Sequence, residues 1–279
     1  MQGGPRRRKI FERMKIYRII AGVAVMLALA AGCKSQYDIL LESNDVDAKY
    51  AAAFQYYNEG KYTRAASLFE SLAMLTNGTE RADTVQFYWA LSNYSYGAYP
   101  TAEANFQSFL DNFPRSPFAE NAEFLHVDCL YRATLRYELD QTPTYTAISA
   151  ISEYILSHPE GANTDICRHM LEELNARLDK KAFENARLYY DMEDYLASRV
   201  AFRNILKDDA DNIYREDILY YSAMSSYKYA DLSVRSKQKE RFLTFMDDYL
   251  NFIGEYPESH YRRELDRLYE RAREKNETL

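Results

Sequence analysis

The hydrophobic and polar positions of this chain recur in a pattern that favours helices and internal repeats. A block of twelve residues at 58–69 returns at 95–106, and the shared Gly, Tyr, Ala and Phe each lie 37 residues from their copies. No stretch of useful length alternates apolar and polar residues as a strand does. The five glycines after residue 32 all lie near candidate helix ends. The pattern therefore predicts an all-α body.

Each residue type in the repeated block has a physical role in a pair of antiparallel helices. Gly60 can adopt the positive φ of a tight turn without steric cost. Tyr62 begins the second helix and packs back on the first, while the small Ala65 allows the two helices to approach closely. Phe69 then fills the space between the two helices next to Ala65. A period of this size is the mark of helix-turn-helix repeats, and the block resembles the tetratricopeptide repeat, whose Gly-x-Tyr-x-x-Ala-x-x-x-Phe/Tyr core it matches twice.

From these signals we predict a right-handed superhelical solenoid of about five tetratricopeptide-like helix pairs over residues 46–279. Residues 46–160 form its N-terminal repeats, and residues 161–279 form its C-terminal repeats with a polar capping helix. The predicted helices span 48–59 and 63–76, 83–96 and 100–112, 119–139 and 145–157, 164–192 with an interruption near Lys180, 214–229 and 237–251, and finally 260–275. The fourth repeat is degraded, with Tyr195, Ser198 and Phe202 at the Tyr, Ala and aromatic positions.

A second echo links the two halves of the chain. The segment at 109–118 reappears at 252–261, offset by 143 residues throughout, and both copies contain an aromatic-Pro-x-Ser sequence. Proline stops one helix, and the serine can accept hydrogen bonds from the free N–H groups that open the next. Repetition along the whole chain, more than any single motif, therefore carries the prediction.

The first 32 residues have the features of a targeting segment. Lys15 and Arg18 precede a run of about twelve apolar residues, too short to span a bilayer comfortably, and small residues follow up to Cys33. We predict a signal peptide over 1–32, with the true start possible at Met14, and a lipidated polar tether over 33–45. The Ala-Gly-Cys sequence resembles a bacterial lipobox, which implies that Cys33 is acylated. A plain signal peptide, or an ordinary membrane anchor, with Cys33 as a bystander is the alternative.

Removal of the leader leaves a strongly acidic protein. Residues 1–32 contain seven of the 35 bases and one of the 42 acids, so the remainder has 28 bases, 41 acids and a formal net charge of −13. Nucleic acid is therefore an improbable partner. Attachment to a membrane is expected through the N-terminal lipid and not through overall charge.

The sequence contains no recognisable catalytic or metal-binding motif. The four histidines are scattered, and there is no nucleophile elbow, phosphate-binding glycine loop or Cys-x-x-Cys. Cys129 and Cys167 lie on predicted helices, where burial as small hydrophobic residues is the first interpretation and a disulfide the alternative. We predict a non-enzymatic protein without a cofactor or metal.

The first helices of a tetratricopeptide-like array line a concave groove, and this groove is the predicted binding site. The resemblance places six side chains there, five of them aromatic: Tyr50, Phe54, Tyr57, Phe87, Leu91 and Tyr94. Together they indicate capture of an extended or aromatic-ended peptide. The alternative is that these rings only pack the helix pairs against one another.

The chain resembles the BamD family of outer-membrane lipoproteins in four features taken together. These are the lipobox, the short tether, the repeats and the recurring aromatic-Pro-x-Ser sequence. That resemblance implies a scaffold of β-barrel assembly, anchored in the outer membrane and facing the periplasm. It implies that the N-terminal repeats bind C-terminal segments of unfolded outer-membrane proteins and that the C-terminal repeats dock on a BamA-like barrel protein. Two alternative functions remain. The first is that of a different periplasmic repeat lipoprotein, which coordinates division or peptidoglycan synthesis. The second is that of a cell-wall enzyme, and against it counts that no remaining segment is large enough to be a lytic domain.

Overall fold

In the computed structural model, which describes residues 35–278, all regular secondary structure is helical. This confirms the predicted all-α class and its helix pairs. The helices are α1 (Gln36–Glu42), α2 (Val46–Asn58), α3 (Tyr62–Leu75), α4 (Ala82–Ser95), α5 (Tyr99–Asn112), α6 (Ala119–Arg132), α7 (Thr142–Ser157), α8 (Thr164–Asp191), α9 (Tyr195–Asp208), α10 (Arg215–Asp231), α11 (Arg235–Glu255) and α12 (Arg262–Thr278).

The predicted turn of the repeat is present three times with the same hydrogen bonds. Gly60 and Gly97 have φ values of 73° and 90°, and Glu193 occupies the same place at 62°. In each turn, this residue donates its N–H to the carbonyl three residues earlier, and the next residue donates to the carbonyl five residues earlier. The chain therefore builds the same reversal whether or not glycine is available.

The tyrosines on either side of this turn pack edge to face in all three copies. The pairs are Tyr57–Tyr62 at 5.4 Å, Tyr94–Tyr99 at 5.6 Å and Tyr190–Tyr195 at 5.4 Å between ring centroids. The small and aromatic residues that follow are fully buried, namely Ala65, Ala102 and Ser198, then Phe69, Phe106 and Phe202. This confirms the predicted register, including that of the degraded fourth repeat.

The aromatic-Pro-x-Ser segments act as the predicted helix connections. Ser116 accepts a hydrogen bond from the backbone N–H of Phe118 at 3.3 Å, and Ser259 accepts one from Tyr261 at 3.1 Å. Ser116 also donates to Asp83 on α4 at 2.8 Å. The two copies therefore direct the chain into α6 and α12 in the same way.

Three details of the predicted elements are wrong. A short helix, α1, lies within the segment assigned as a polar tether, because Ser35 and Asp38 form a capping box at its start. The helix predicted over 119–139 ends at Arg132. The long helix α8 runs without the interruption expected near Lys180, since no proline or glycine breaks it.

The early end of α6 is explained by side chains of α8. Arg177 donates to the backbone carbonyl of Leu135 at 3.0 Å, and Lys181 donates to those of Tyr137 and Leu139 at 2.9 and 2.8 Å. Carbonyl groups that would have continued α6 are thus satisfied by side chains of α8. Lys180 and Lys181, at the place where the interruption was expected, contact the loop that follows α6.

The chain divides into two compact units. Unit 1 comprises the described residues up to Ala122, and unit 2 begins at Glu123. Each has its own apolar core between successive helices. The grouping of repeats into 46–160 and 161–279 stays a prediction. Cys129 and Cys167 are both buried, as the first interpretation expected, and they are not joined by a disulfide in the structure. Burial raises the pKa of Cys167 to about 11.

Candidate peptide-binding surface

At three places, a stacked aromatic ring closes the junction between successive helix pairs, which we call a seam. In each, the residue immediately before the first helix of the next pair lies flat on an aromatic ring of the preceding pair. The stacks are Phe118 on Phe87 at 4.6 Å, Tyr214 on Phe183 at 5.0 Å and Tyr261 on Tyr220 at 3.8 Å, with ring planes within about 12° of parallel. Such stacks bury two large apolar faces and are part of the core.

The first repeat fills the same place with a cation. Arg81, the residue immediately before α4, lies with its guanidinium 5.0 Å from the ring centroid of Tyr50. The same guanidinium donates to Asp47 at 2.6 Å, and both charged side chains are exposed. A solvent-exposed cation–π contact contributes only about 0.5–1 kcal/mol. The ring of Tyr50 is therefore the one in this series that is covered by a weakly held, exposed group.

The three predicted site residues of α2 lie together and are half-buried. Tyr50 contacts Phe54 at 4.9 Å between ring centroids. Phe54 packs in turn on Phe69 at 5.1 Å and on Tyr88 at 4.7 Å. Tyr57 lies 5.3 Å from Tyr88, and burial raises the pKa of its hydroxyl. Of the three rings, that of Tyr50 packs on one other ring, that of Phe54, whereas Phe54 and Tyr57 each pack on at least two.

The three predicted residues of α4 differ from one another. Phe87 is 2% exposed beneath Phe118, so for this ring the alternative stated from sequence, packing of the helix pairs, fits the structure. Leu91 and Tyr94 are half-buried, and Tyr94 packs on Tyr99. The structure thus leaves five of the six predicted side chains with surface that a peptide could contact.

A separate groove in unit 1 was not predicted. It encloses about 1040 Å³ between the end of α1, the outer side of α3, the start of α4 and the end of α5, and none of the six predicted residues lines it. Its apolar lining includes Leu41, Met74, Trp89 and Phe113. Met74 is 78% exposed, which is unusual for so large an apolar residue. The position of the single Trp, outside the repeat motif, was the available signal.

A buried lysine lies behind the wall of this groove. Lys49 is 2% exposed, and its ammonium donates to the hydroxyl of Ser71 at 2.6 Å, while Ser71 itself lines the groove. Burial lowers the pKa of the Lys49 ammonium below its usual range. Within residues 35–278 no carboxylate forms an ion pair with it. Unit 1 therefore keeps a poorly compensated positive charge beside this groove.

Elsewhere the described residues show ordinary structural pairs. His158 binds Glu123, and His169 lies 3.5 Å from Glu172 on the same helix. No group of three or more possible metal ligands occurs within residues 35–278.

The predicted lipidation site, Cys33, lies outside the described residues. Among the described helices, none combines the length and the apolar character needed to cross a bilayer.

The chain is similar to one family of outer membrane lipoproteins and, at low identity, to individual known proteins. The sequence model of the family YfiO, described as an outer membrane lipoprotein, matches residues 42–239. The outer membrane protein assembly factor BamD of Caulobacter vibrioides is 20% identical over 185 residues, which cover 66% of this chain and 61% of the relative. The solved TPR2AB domain of yeast Sti1 in complex with pHSP90 covers 81% of this chain and 98% of its own length, at 14% identity and a TM-score of 0.40.

Proposed function

The chain belongs to the YfiO family of outer membrane lipoproteins, and from this membership we propose that it is a non-enzymatic scaffold of outer-membrane β-barrel protein assembly. Unit 1 binds the C-terminal segments of unfolded barrel proteins, and unit 2 docks on a BamA-like barrel protein. The assembly role is carried over from the Caulobacter relative, of whose length the chain spans 61%. The observations below support the finer parts of the proposal.

The peptide-binding proposal rests on a single observation, namely that the ring of Tyr50 is covered by the exposed Arg81 and not by another ring. In three other seams, a ring of the chain itself covers the equivalent aromatic. In the first repeat, an exposed arginine does so instead. An incoming aromatic side chain can displace Arg81 into water at little cost and gain the stacking that the other seams already have. The neighbouring Phe54 and Tyr57 extend this apolar surface along α2, and Leu91 and Tyr94 do so on α4.

The substitution Arg81→Phe tests this idea by making the first seam like the others. A phenylalanine at this position fills the seat on Tyr50 with a ring of the chain itself, as Phe118 does on Phe87. We expect it to lower the affinity for a synthetic barrel C-terminal peptide ending in phenylalanine at least tenfold. The expectation follows because aromatic stacking and burial together are worth about 2 kcal/mol. The measurement is fluorescence anisotropy of the labelled peptide.

Two further variants locate the binding surface. Met74→Glu places a charge in the groove without disturbing the core, since this side chain is 78% exposed. Tyr145→Ala removes an exposed tyrosine of unit 2 and serves as the matched control. Loss of binding with Met74→Glu alone would move the site into the groove of about 1040 Å³. Unchanged affinity in both Arg81→Phe and Met74→Glu would remove unit 1 as the peptide-binding region.

Unit 2 offers a different kind of surface to the BamA-like partner. Leu196 and Val200 on α9, and Leu243 and Leu250 on α11, each expose about half of an apolar side chain. The two helices are fixed to each other by a bidentate ion pair in which Arg199 donates to Asp248. We expect Val200→Glu with Leu243→Glu to reduce co-purification of the barrel protein. Capture of a division protein by the unaltered chain would favour the rival envelope-division function.

The N-terminal lipid completes the proposal. Acylation at Cys33 would anchor the scaffold in the outer membrane, facing the periplasm, and would confine it near the barrels that it helps to assemble. Labelling of the full chain with radioactive palmitate, compared with Cys33→Ala, tests this directly. Equal labelling of both forms would contradict it.

A further inference from the structure

The corner between α10 and α11 combines exposed apolar side chains with positive charge. Leu232 and Val234 are 71% and 69% exposed at the apex of the turn that joins the two helices. The segment 232–241 contains four bases and one acid, in a chain that carries a formal net charge of −13 after residue 32. The corner thus differs from its surroundings in both charge and polarity.

The corner is held in a fixed conformation. Gln238 donates to the backbone carbonyl of Asp231 at 3.1 Å, so the start of α11 is tied to the end of α10. Arg241 lies 3.9 Å above the ring of Tyr229 and also donates to the hydroxyl of Ser233. Leu232 and Val234, the two apolar side chains at the apex, therefore lie on a turn whose conformation is fixed by hydrogen bonds.

The start of α11 departs from the rules for a stable helix. Its N-cap residue is Val234, which provides no side-chain hydrogen bond, and its first turn contains no acid. Arg235 and Lys237 lie where the helix dipole disfavours positive charge. The start of α2 has Asp45 as cap and Asp47 in the first turn, whereas α3, α5 and α7 lack both features, as α11 does. The start of α11 differs from these three in carrying two bases in its first turn, and this positive charge is the feature that needs an explanation.

Most of this positive charge is available to a ligand. Arg235 and Lys239 form no ion pair within residues 35–278, and Lys237 has only the exposed Glu240 at 3.8 Å. The neighbouring end of α12, over residues 270–278, has three bases and three acids, so it does not reverse the local excess. Its Lys275 pairs with Asp231 and thereby neutralises the acid nearest the corner.

We propose that this basic apolar corner, formed by Leu232, Val234, Arg235, Lys237 and Lys239, rests on an anionic phospholipid surface. Two apolar side chains at a convex apex suit shallow insertion at the level of the headgroups. Each base near such a surface adds roughly fivefold to the affinity. A protein partner is less well matched, because a stable interface needs about 800 Å² on each side and not two projecting side chains. The proposal concerns unit 2 and is independent of peptide binding and of the lipid on Cys33.

Vesicle co-sedimentation of residues 34–279, made without a lipid, tests the corner. This form keeps every described helix. Vesicles of phosphatidylglycerol and phosphatidylethanolamine are compared with vesicles of phosphatidylcholine alone. The charge variant carries Arg235→Gln, Lys237→Gln and Lys239→Gln. The matched control removes three exposed bases elsewhere, through Arg115→Gln, Arg203→Gln and Lys207→Gln, and so has the same net charge.

We expect the unaltered form to bind the anionic vesicles, with a loss on the order of 100-fold in the charge variant and little change in the control. Leu232→Ser with Val234→Ser should weaken binding roughly tenfold without changing its salt dependence. Equal losses in the charge variant and the control would overturn the proposal. Failure to bind vesicles, together with corner-dependent binding of poly-glutamate, would also overturn it and identify an acidic protein partner instead.

Discussion

The first repeat and the later repeats close the same seam in different ways. In the second, fourth and fifth helix pairs, an aromatic ring of the pair is covered by the ring of the residue that precedes the next helix. In the first pair, the exposed Arg81 covers the ring of Tyr50 instead. The first repeat also buries Lys49, and the equivalent residue 37 positions later is the neutral Gln86. Under the proposed function, the same helix-pair design serves stability where an aromatic ring closes the junction and peptide binding where an exposed arginine covers it.

The largest expected effect comes from removing a ring in a sealed seam. Phe183→Ala should lower the free energy of unfolding by about 3–5 kcal/mol, because this side chain is buried against Phe202, Tyr214 and Tyr221. Tyr50→Ala in the open seam should cost only about 1 kcal/mol. Urea denaturation followed by circular dichroism measures both. Equal costs would show that the first seam is as much a part of the core as the others.

Replacement of the buried lysine should stabilise the first repeat. Lys49→Met keeps the length of the side chain and removes a charge whose only hydrogen-bond acceptor within residues 35–278 is Ser71, and we expect a gain of about 1 kcal/mol. A loss of stability would show that the ammonium is better compensated than its surroundings indicate.

The gain from Lys49→Met should also depend on pH. Because burial lowers the folded pKa of Lys49 below the value of 10.5 expected when unfolded, the unfolded chain binds more protons between those two pKa values. The stability of the unaltered protein therefore rises with pH through that window, and its deficit relative to Lys49→Met narrows. Thermal melts at pH 7 and above pH 10 test this, and a gap that stays constant would contradict it.

The smallest effect concerns the turn of the fourth repeat. Glu193 holds a φ of 62° at the place where Gly60 and Gly97 lie in the first two repeats. Glu193→Gly should raise the free energy of unfolding by about 0.5 kcal/mol, since relief of the strained φ exceeds the added entropy of glycine in the unfolded chain. Gly97→Glu should have the opposite sign. If both changes were destabilising, contacts of the Glu193 side chain and not its backbone would decide the turn.

The sequence predicted the helix pairs well because their determinants are local. Turn residues, the small residue at the seam and the aromatic beside it recur at one spacing, so even the fourth repeat, with Ser198 and Phe202, could be placed in register. The end of α6 depends on hydrogen bonds from Arg177 and Lys181 to a loop about 40 residues earlier. No local pattern contains that information.

The candidate site was less predictable for the same reason. Groove positions were assigned by their place in the repeat, but whether a ring at that place is open or covered depends on the residue that precedes the next pair. Phe118 covers Phe87 with a ring, whereas only the exposed side chain of Arg81 covers Tyr50. The groove beside Met74 arises from four helices that meet and has no signature in any one of them.

Photo-crosslinking in cells tests most directly the claim that the open seam receives client chains. A benzoylphenylalanine is placed at Arg81 in one form of the full chain and at Arg203 of unit 2 in another, in cells that produce unfolded barrel proteins. We predict adducts from position 81 that contain the C-terminal strand of the barrel protein, and none from position 203. Client adducts from position 203 alone, with none from 81, would contradict the account.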